Sequence, residues 1–237
     1  HDENIYNKIR NKYIGDFNTI KINNKYDAIW CCHILEHQLN VNLFLKKIHG
    51  LLNEDGYLAI VVPPRKPFIV GGHVSIWNAG LVLYNLILAG FDCSEYCEIL
   101  QYDYNIGIVI KKKTIKNLPN DLSMDKGDIE KLSKYFPFDA KHNFNGDIIK
   151  LVKRLNKSCY NPADNLENNS YNVKYHKFIN YHYLFRNPCG EKRIINNVIY
   201  PLIQTFQNTI IIDGGYNIGD WSFNILKNKS PNIKIIG

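Results

Sequence analysis

Three short stretches of the 237-residue chain hold residues whose types and spacing could do chemistry. The first is Asp213-Gly214-Gly215-Tyr216-Asn217-Ile218-Gly219, which follows the β-branched run Thr209 to Ile212. A buried strand, a glycine turn and the start of a helix together form a ligand cradle. Glycine lets the backbone approach where a Cβ would collide, and the helix N-terminus faces an anionic group. The second stretch is His33-Ile34-Leu35-Glu36-His37, reached directly from the apolar run Tyr26 to Cys32, and the third is Gly71-Gly72-His73. Imidazoles on loops suit proton transfer near neutral pH, which makes His37 and His73 the candidate general bases. Asp16 lies just past Lys12-Tyr13-Ile14-Gly15. An acid there suits an adenine or ribose contact and equally suits a turn cap.

The spacing of His33, Glu36 and His37 also matches H-x-x-E-H, which on a helix sets two imidazoles on one face around zinc with the glutamate as base. Here a buried strand runs straight into the motif, and no later acid stands out on an apolar helix. A zinc hydrolase is therefore a remote alternative, and no metal is expected. The structural alternatives are local pairing for Glu36, core packing for Cys31 and Cys32, and a brace for His73 before Ser75.

The elements that must position these residues alternate. Tyr26 to Cys32 reads as a strand buried on both faces, and Asn40 or Asn42 caps a helix whose Phe44, Leu45, Ile48, Leu51 and Leu52 recur at helical spacing. Asn53-Glu54-Asp55-Gly56 ends that helix, and the strand Tyr57 to Val62 stops at Pro63-Pro64. Ser75 is expected to cap a helix from Ile76 to Ala89, terminated by Gly90. Glu95 to Leu100 and Asn105 to Ile110 then read as a hairpin. Alternating β and α units call for a mostly parallel sheet whose ligands sit at the carboxyl ends of its strands. From Thr114 to about Asn187 the pattern weakens into a linker with short helices, one expected from Asp147 to Leu155. Ile194, Ile195, Val198, Ile199, Leu202, Ile203 and Phe206 make the face of a helix that leads into the glycine turn.

The chain is 45% hydrophobic, enough for a proper core, and carries a formal net charge of +7. The lysines are scattered, and the one tight basic run, Lys111-Lys112-Lys113, reads as a solvated strand end. No basic stripe with interleaved aromatics accompanies it, so no nucleic-acid partner is expected. The six cysteines form no C-x-x-C pair, which fits reduced thiols and a cytoplasmic location. No apolar run is long enough to span a bilayer, and no leader opens the chain. Both ends fall inside apparent elements, so a piece of a longer protein is expected.

The run from Tyr26 through His33-Ile34-Leu35-Glu36-His37, with the helix, glycine turn and apolar strand that follow and the later Ala89-Gly90-Phe91, resembles the second half of class I S-adenosylmethionine-dependent methyltransferases. The resemblance covers about residues 12–113. It implies that Tyr26 to Cys32 is the fourth strand of a Rossmann-like sheet, that the hairpin supplies its antiparallel end, and that Cys32 and His33 wall the cofactor pocket. In that family the fourth strand packs beside a first strand carrying the glycine turn, which is missing upstream of His1. Asp213-Gly214-Gly215-Tyr216-Asn217-Ile218-Gly219 resembles the first motif of FkbM-type methyltransferases, a class I branch that often methylates hydroxyls of sugars or polyketides. Carried over, Asp213 anchors the turn or holds the cofactor's amino-acid moiety, Gly215 and Gly219 permit close approach, and Asn217 fixes the loop; Gly214 belongs to the same cradle by its lack of a Cβ. Tyr216 departs from the usual small residue.

The expected fold is therefore α/β, a truncated Rossmann-like, mostly parallel sheet with a terminal antiparallel hairpin and a helical linker region. Residues 1–113 would be the later part of one methyltransferase domain, 114–190 a linker and 191–237 the start of an FkbM-like domain, from a tandem parent. The expected activity is methyl transfer from S-adenosylmethionine to a hydroxyl of a sugar or other small-molecule or glycan acceptor. A non-catalytic cofactor-binding or inactive fragment is the alternative. A nicotinamide oxidoreductase would need a full phosphate fingerprint, which is absent. A fourth strand without its first leaves a parallel edge open, and Thr209 to Asp213 could fill it. Ile233 to Ile236 would then lie outside that strand, as in a circular permutant.

Overall fold

The computed structural model describes residues 12–65, 68–101, 105–147, 149, 209–213 and 233–236. Among the described residues, seven strands, β1 (Lys12–Tyr13), β2 (Tyr26–Cys32), β3 (Leu52–Val62), β4 (Cys97–Gln101), β5 (Ile106–Lys111), β6 (Thr209–Asp213) and β7 (Ile233–Ile236), form one mixed sheet. Their order is β1-β7-β6-β2-β3-β5-β4. The first five in that order pair in parallel, and β5 and β4 close the far side antiparallel. The protein is thus α/β with a partly parallel sheet.

The described helices are α1 (Val41–Leu51), α2 (Ala79–Leu88) and a short α3 (Asp128–Leu132). Asn40 caps α1 by accepting the Leu43 N–H, and Phe44, Leu45 and Ile48 on its apolar face are fully buried. Asn78, rather than the expected Ser75, caps α2 through the Leu81 N–H at 2.8 Å. Ser75 is engaged elsewhere, its N–H and hydroxyl donating to the carbonyls of Glu36 and Leu35. One sheet face, including Ile29, Cys31, Leu58, Ile60, Ile108 and Ile110, joins α1 and α2 in a single core. The alternate residues Trp30, Cys32, Ala59, Val61 and Val109 are buried too, as a strand covered on both faces requires.

Three further expectations change. Asn53 to Gly56 does not stand outside the sheet, because β3 begins at Leu52 and absorbs these residues as an irregularity between the Tyr26–Leu52 and Ala28–Tyr57 pairings. Lys112 is not solvated but 5% exposed. Its Nζ donates to the carbonyls of His49 and Leu52 and pairs with Glu54 at 3.1 Å, so this cation closes the C-terminus of α1, where a positive charge is favoured. The segment from Thr114, expected to be linker, lays Ile115, Leu132, Phe136 and Ala140 into the core. Gly80 donates its N–H to Gly146 O, and a Cβ at Gly80 would lie 2.6 Å from Gly146 Cα. The helix expected from Asp147 to Leu155 and the helical face from Ile194 to Phe206 fall outside the described residues, apart from Asp147 and Ile149. No helix among the described residues is long and apolar enough to cross a membrane.

Candidate functional site

The parallel strands β1, β7, β6, β2 and β3 bring their carboxyl ends to one edge of the sheet. Asp213, the last residue of β6, is in register with Cys32, the last residue of β2, and Cys32 is in register with Val61 of β3. Cys32 is buried, and its neighbour His33 departs from the strand. The His33 N–H still donates to Val61 O, but its φ of 50° lies in the left-handed region. Such backbone conformations in non-glycine residues mark places where the chain is held against its local preference.

The turn this creates is followed by a 3-10 helix, Leu35–His37, and not by the α-helix that an H-x-x-E-H zinc hydrolase requires. His33 Nδ1 donates to Glu36 Oε1 at 3.2 Å. Glu36 is fully buried, and its Oε2 has no hydrogen-bond partner among the described residues. Its backbone carbonyl accepts the N–H groups of Val74 and Ser75, which fastens the loop after β3 to the turn after β2.

That loop carries the second imidazole. The His73 N–H donates to Val70 O, closing a turn with Gly71 and Gly72 at its centre, and Gly72 has a φ of 78° that favours glycine. His37 Nδ1 donates to Gly72 O at 2.7 Å; because a carbonyl can only accept, the proton sits on Nδ1 and the Nε2 lone pair is free of it. The rings of His37 and His73 meet edge to face with centroids 4.9 Å apart. One ligand atom from each of Glu36, His37 and His73 lies within 4.8 Å of the others. The same two loops expose the apolar side chains of Leu39, Phe68, Ile69, Val74 and Ile76.

The sequence-predicted residues are distributed as follows. His33, His37 and His73 lie in or beside this cluster, with Cys32 and Asp213 at the adjoining strand ends. Asp16 is exposed past the end of β1, where Oδ1 accepts the Asn18 N–H and the carbonyl accepts those of Thr19 and Ile20. Its turn-capping role is therefore realised. Gly214, Gly215, Asn217 and Gly219 fall outside the described residues. The burial of Glu36 within 4.8 Å of His73 was not anticipated; the sequence signal was the acid within H-x-x-E-H, and its neighbour 37 positions on is brought there by the sheet. No protein-family model matches the chain, and no curated protein matches it significantly in sequence.

Proposed function

We propose that the chain is an S-adenosylmethionine-dependent methyltransferase acting on a hydroxyl of a sugar or another small molecule. The pairing of Asp213 with Cys32 carries the reading. It sets the strand whose sequence continues into Gly214-Gly215 directly beside the strand that leads into Leu35-Glu36-His37, as class I methyltransferases set their first and fourth strands. The order β1-β7-β6-β2-β3-β5-β4, with its antiparallel end, supports the reading, since a Rossmann-like methyltransferase sheet whose two halves followed one another in permuted order would have it.

The residues at this edge suit the cofactor. Asp213 would hold its amino-acid moiety, Cys32 and His33 would wall its pocket, and Asp16 stands at an outer strand end where an adenine or ribose contact falls. Bound there, S-adenosylmethionine supplies an electrophilic methyl group on its sulfonium. For their part, the protein side chains orient the acceptor and take its proton. His37 is set for that role by the Gly72 carbonyl, which keeps Nε2 as the basic nitrogen. General-base assistance of this kind contributes about 10²–10⁴-fold.

Titration calorimetry with S-adenosylmethionine tests the reading. A saturable one-to-one heat that weakens in Asp213→Ala is expected. No heat at high micromolar ligand would favour the non-catalytic alternative.

A further inference from the structure

We infer that Glu36, His37 and His73 form a binding site for one transition-metal dication of the zinc class. The inference rests on the cluster's own geometry and not on the methyltransferase reading.

Two imidazole nitrogens and one carboxylate oxygen, all within 4.8 Å of one another, are a donor set for zinc, cobalt, manganese or iron rather than for magnesium or calcium. Two of the three donors, His37 and Glu36, also have the support that metal ligands need. The Gly72 carbonyl accepts the Nδ1–H of His37 at 2.7 Å, which leaves Nε2 as the nitrogen able to ligate; a carbonyl behind a ligating imidazole is the usual outer partner. His33 holds Oε1 of Glu36 at 3.2 Å, while Oε2 is buried without a hydrogen-bond partner among the described residues. A buried carboxylate oxygen left unmatched is costly, and a cation resolves that cost. A tetrahedral zinc with bonds of about 2.1 Å keeps its ligands about 3.4 Å apart, so the side chains must draw together on binding. His37 and His73 sit on a short 3-10 turn and a loop, where such a movement is easiest.

This is not the H-x-x-E-H arrangement. There His33 and His37 would bind and Glu36 would act as base, whereas here Glu36 binds, His73 replaces His33, and His33 positions the carboxylate. Three protein ligands leave coordination positions for an oxygen ligand from water or an acceptor. With an ion bound, the Nε2 lone pair of His37 is engaged, and the imidazole positions a ligand instead of accepting a proton.

The test uses the full chain, stripped with a chelator and titrated with Co²⁺ and then Zn²⁺. One equivalent of Co²⁺ should give visible d–d bands that one equivalent of Zn²⁺ abolishes. Glu36→Gln and His73→Ala should each weaken binding at least about 100-fold, and His33→Ala about 10–100-fold. His142→Ala, at an exposed site outside the cluster, should leave it unchanged. Because Glu36 is buried, circular dichroism accompanies each variant, and the partly exposed His73 provides the decisive substitution if Glu36→Gln does not fold. Absence of stoichiometric binding, or equal affinity in folded His73→Ala and the parent, would overturn the site. Cobalt stoichiometry that survives a failed S-adenosylmethionine titration would remove the methyltransferase reading and leave the metal site standing.

Discussion

The carbonyl of Gly72 lies 2.7 Å from Nδ1 of His37, so the loop after β3 fixes the tautomer of an imidazole on the turn after β2. Those residues are 35 positions apart, and the parallel pairing of β2 with β3 is what brings them together. Their bond ties two separate loops together.

Gly72→Ala tests that tie. The φ of 78° disfavours any Cβ, and the new methyl would come within 3.4 Å of His37 Nδ1. Stability should fall by about 1–2 kcal/mol in denaturant unfolding. In ¹⁵N NMR, the fixed tautomer of His37 should be replaced by a mixture.

Lys112 carries the second prediction. Its Nζ reaches the carbonyls of His49 and Leu52 and the carboxylate of Glu54. Lys112→Met keeps the aliphatic stem but leaves both carbonyls without their donor, and should cost about 2–4 kcal/mol in a urea melt. A surface lysine replaced in the same way, such as Lys141, should cost less than about 0.5 kcal/mol.

Acid sensitivity follows from the same corner. Burial, with Lys112 as the next cause, lowers the pKa of His49 from 6.5 to about 4. The unfolded chain therefore takes up this proton first as pH falls, so stability drops between about pH 6.5 and pH 4. His49→Gln should flatten that part of the stability curve. In Lys112→Met the His49 titration, followed by NMR, should move upward because a repelling charge is gone.

The position of β6 supplies a further test. It lies between β7 and β2, with Ile211 in register with both Trp30 and Ile235. Ile211→Pro removes a ladder donor from an interior strand and should cost about 3 kcal/mol or more, unfolding β2 together with β6 in a single transition. Retention of full stability would mean that β2 does not depend on this neighbour.

Much of the scaffold was legible because local pattern and tertiary role agree. The apolar runs of β2 and β3, the Asn40 cap and the hairpin of β4 and β5 follow from side-chain periodicity and turn chemistry. Where the reading erred, a distant contact decided the outcome. Ser75 has the type of a helix cap, but its donors turn to the carbonyls of Leu35 and Glu36, and Asn78 takes the role. Lys112 has the type of a surface residue, yet the end of α1 captures it. The H-x-x-E-H spacing drew attention to His33 and His37, while the residue that completes the cluster, His73, belongs to another loop. That substitution depends on the left-handed turn at His33, for which a histidine gives only weak warning.

The claim that joins these observations is that the ends of β6 and β2, distant in sequence, build one cofactor crevice. Hydrogen-exchange mass spectrometry of the full chain, with and without S-adenosylhomocysteine, tests it most directly. The account predicts that peptides covering 209–213 and 26–37 gain protection together, at the same ligand concentration. Protection confined to one of them, or absent from both at saturating ligand, would contradict it.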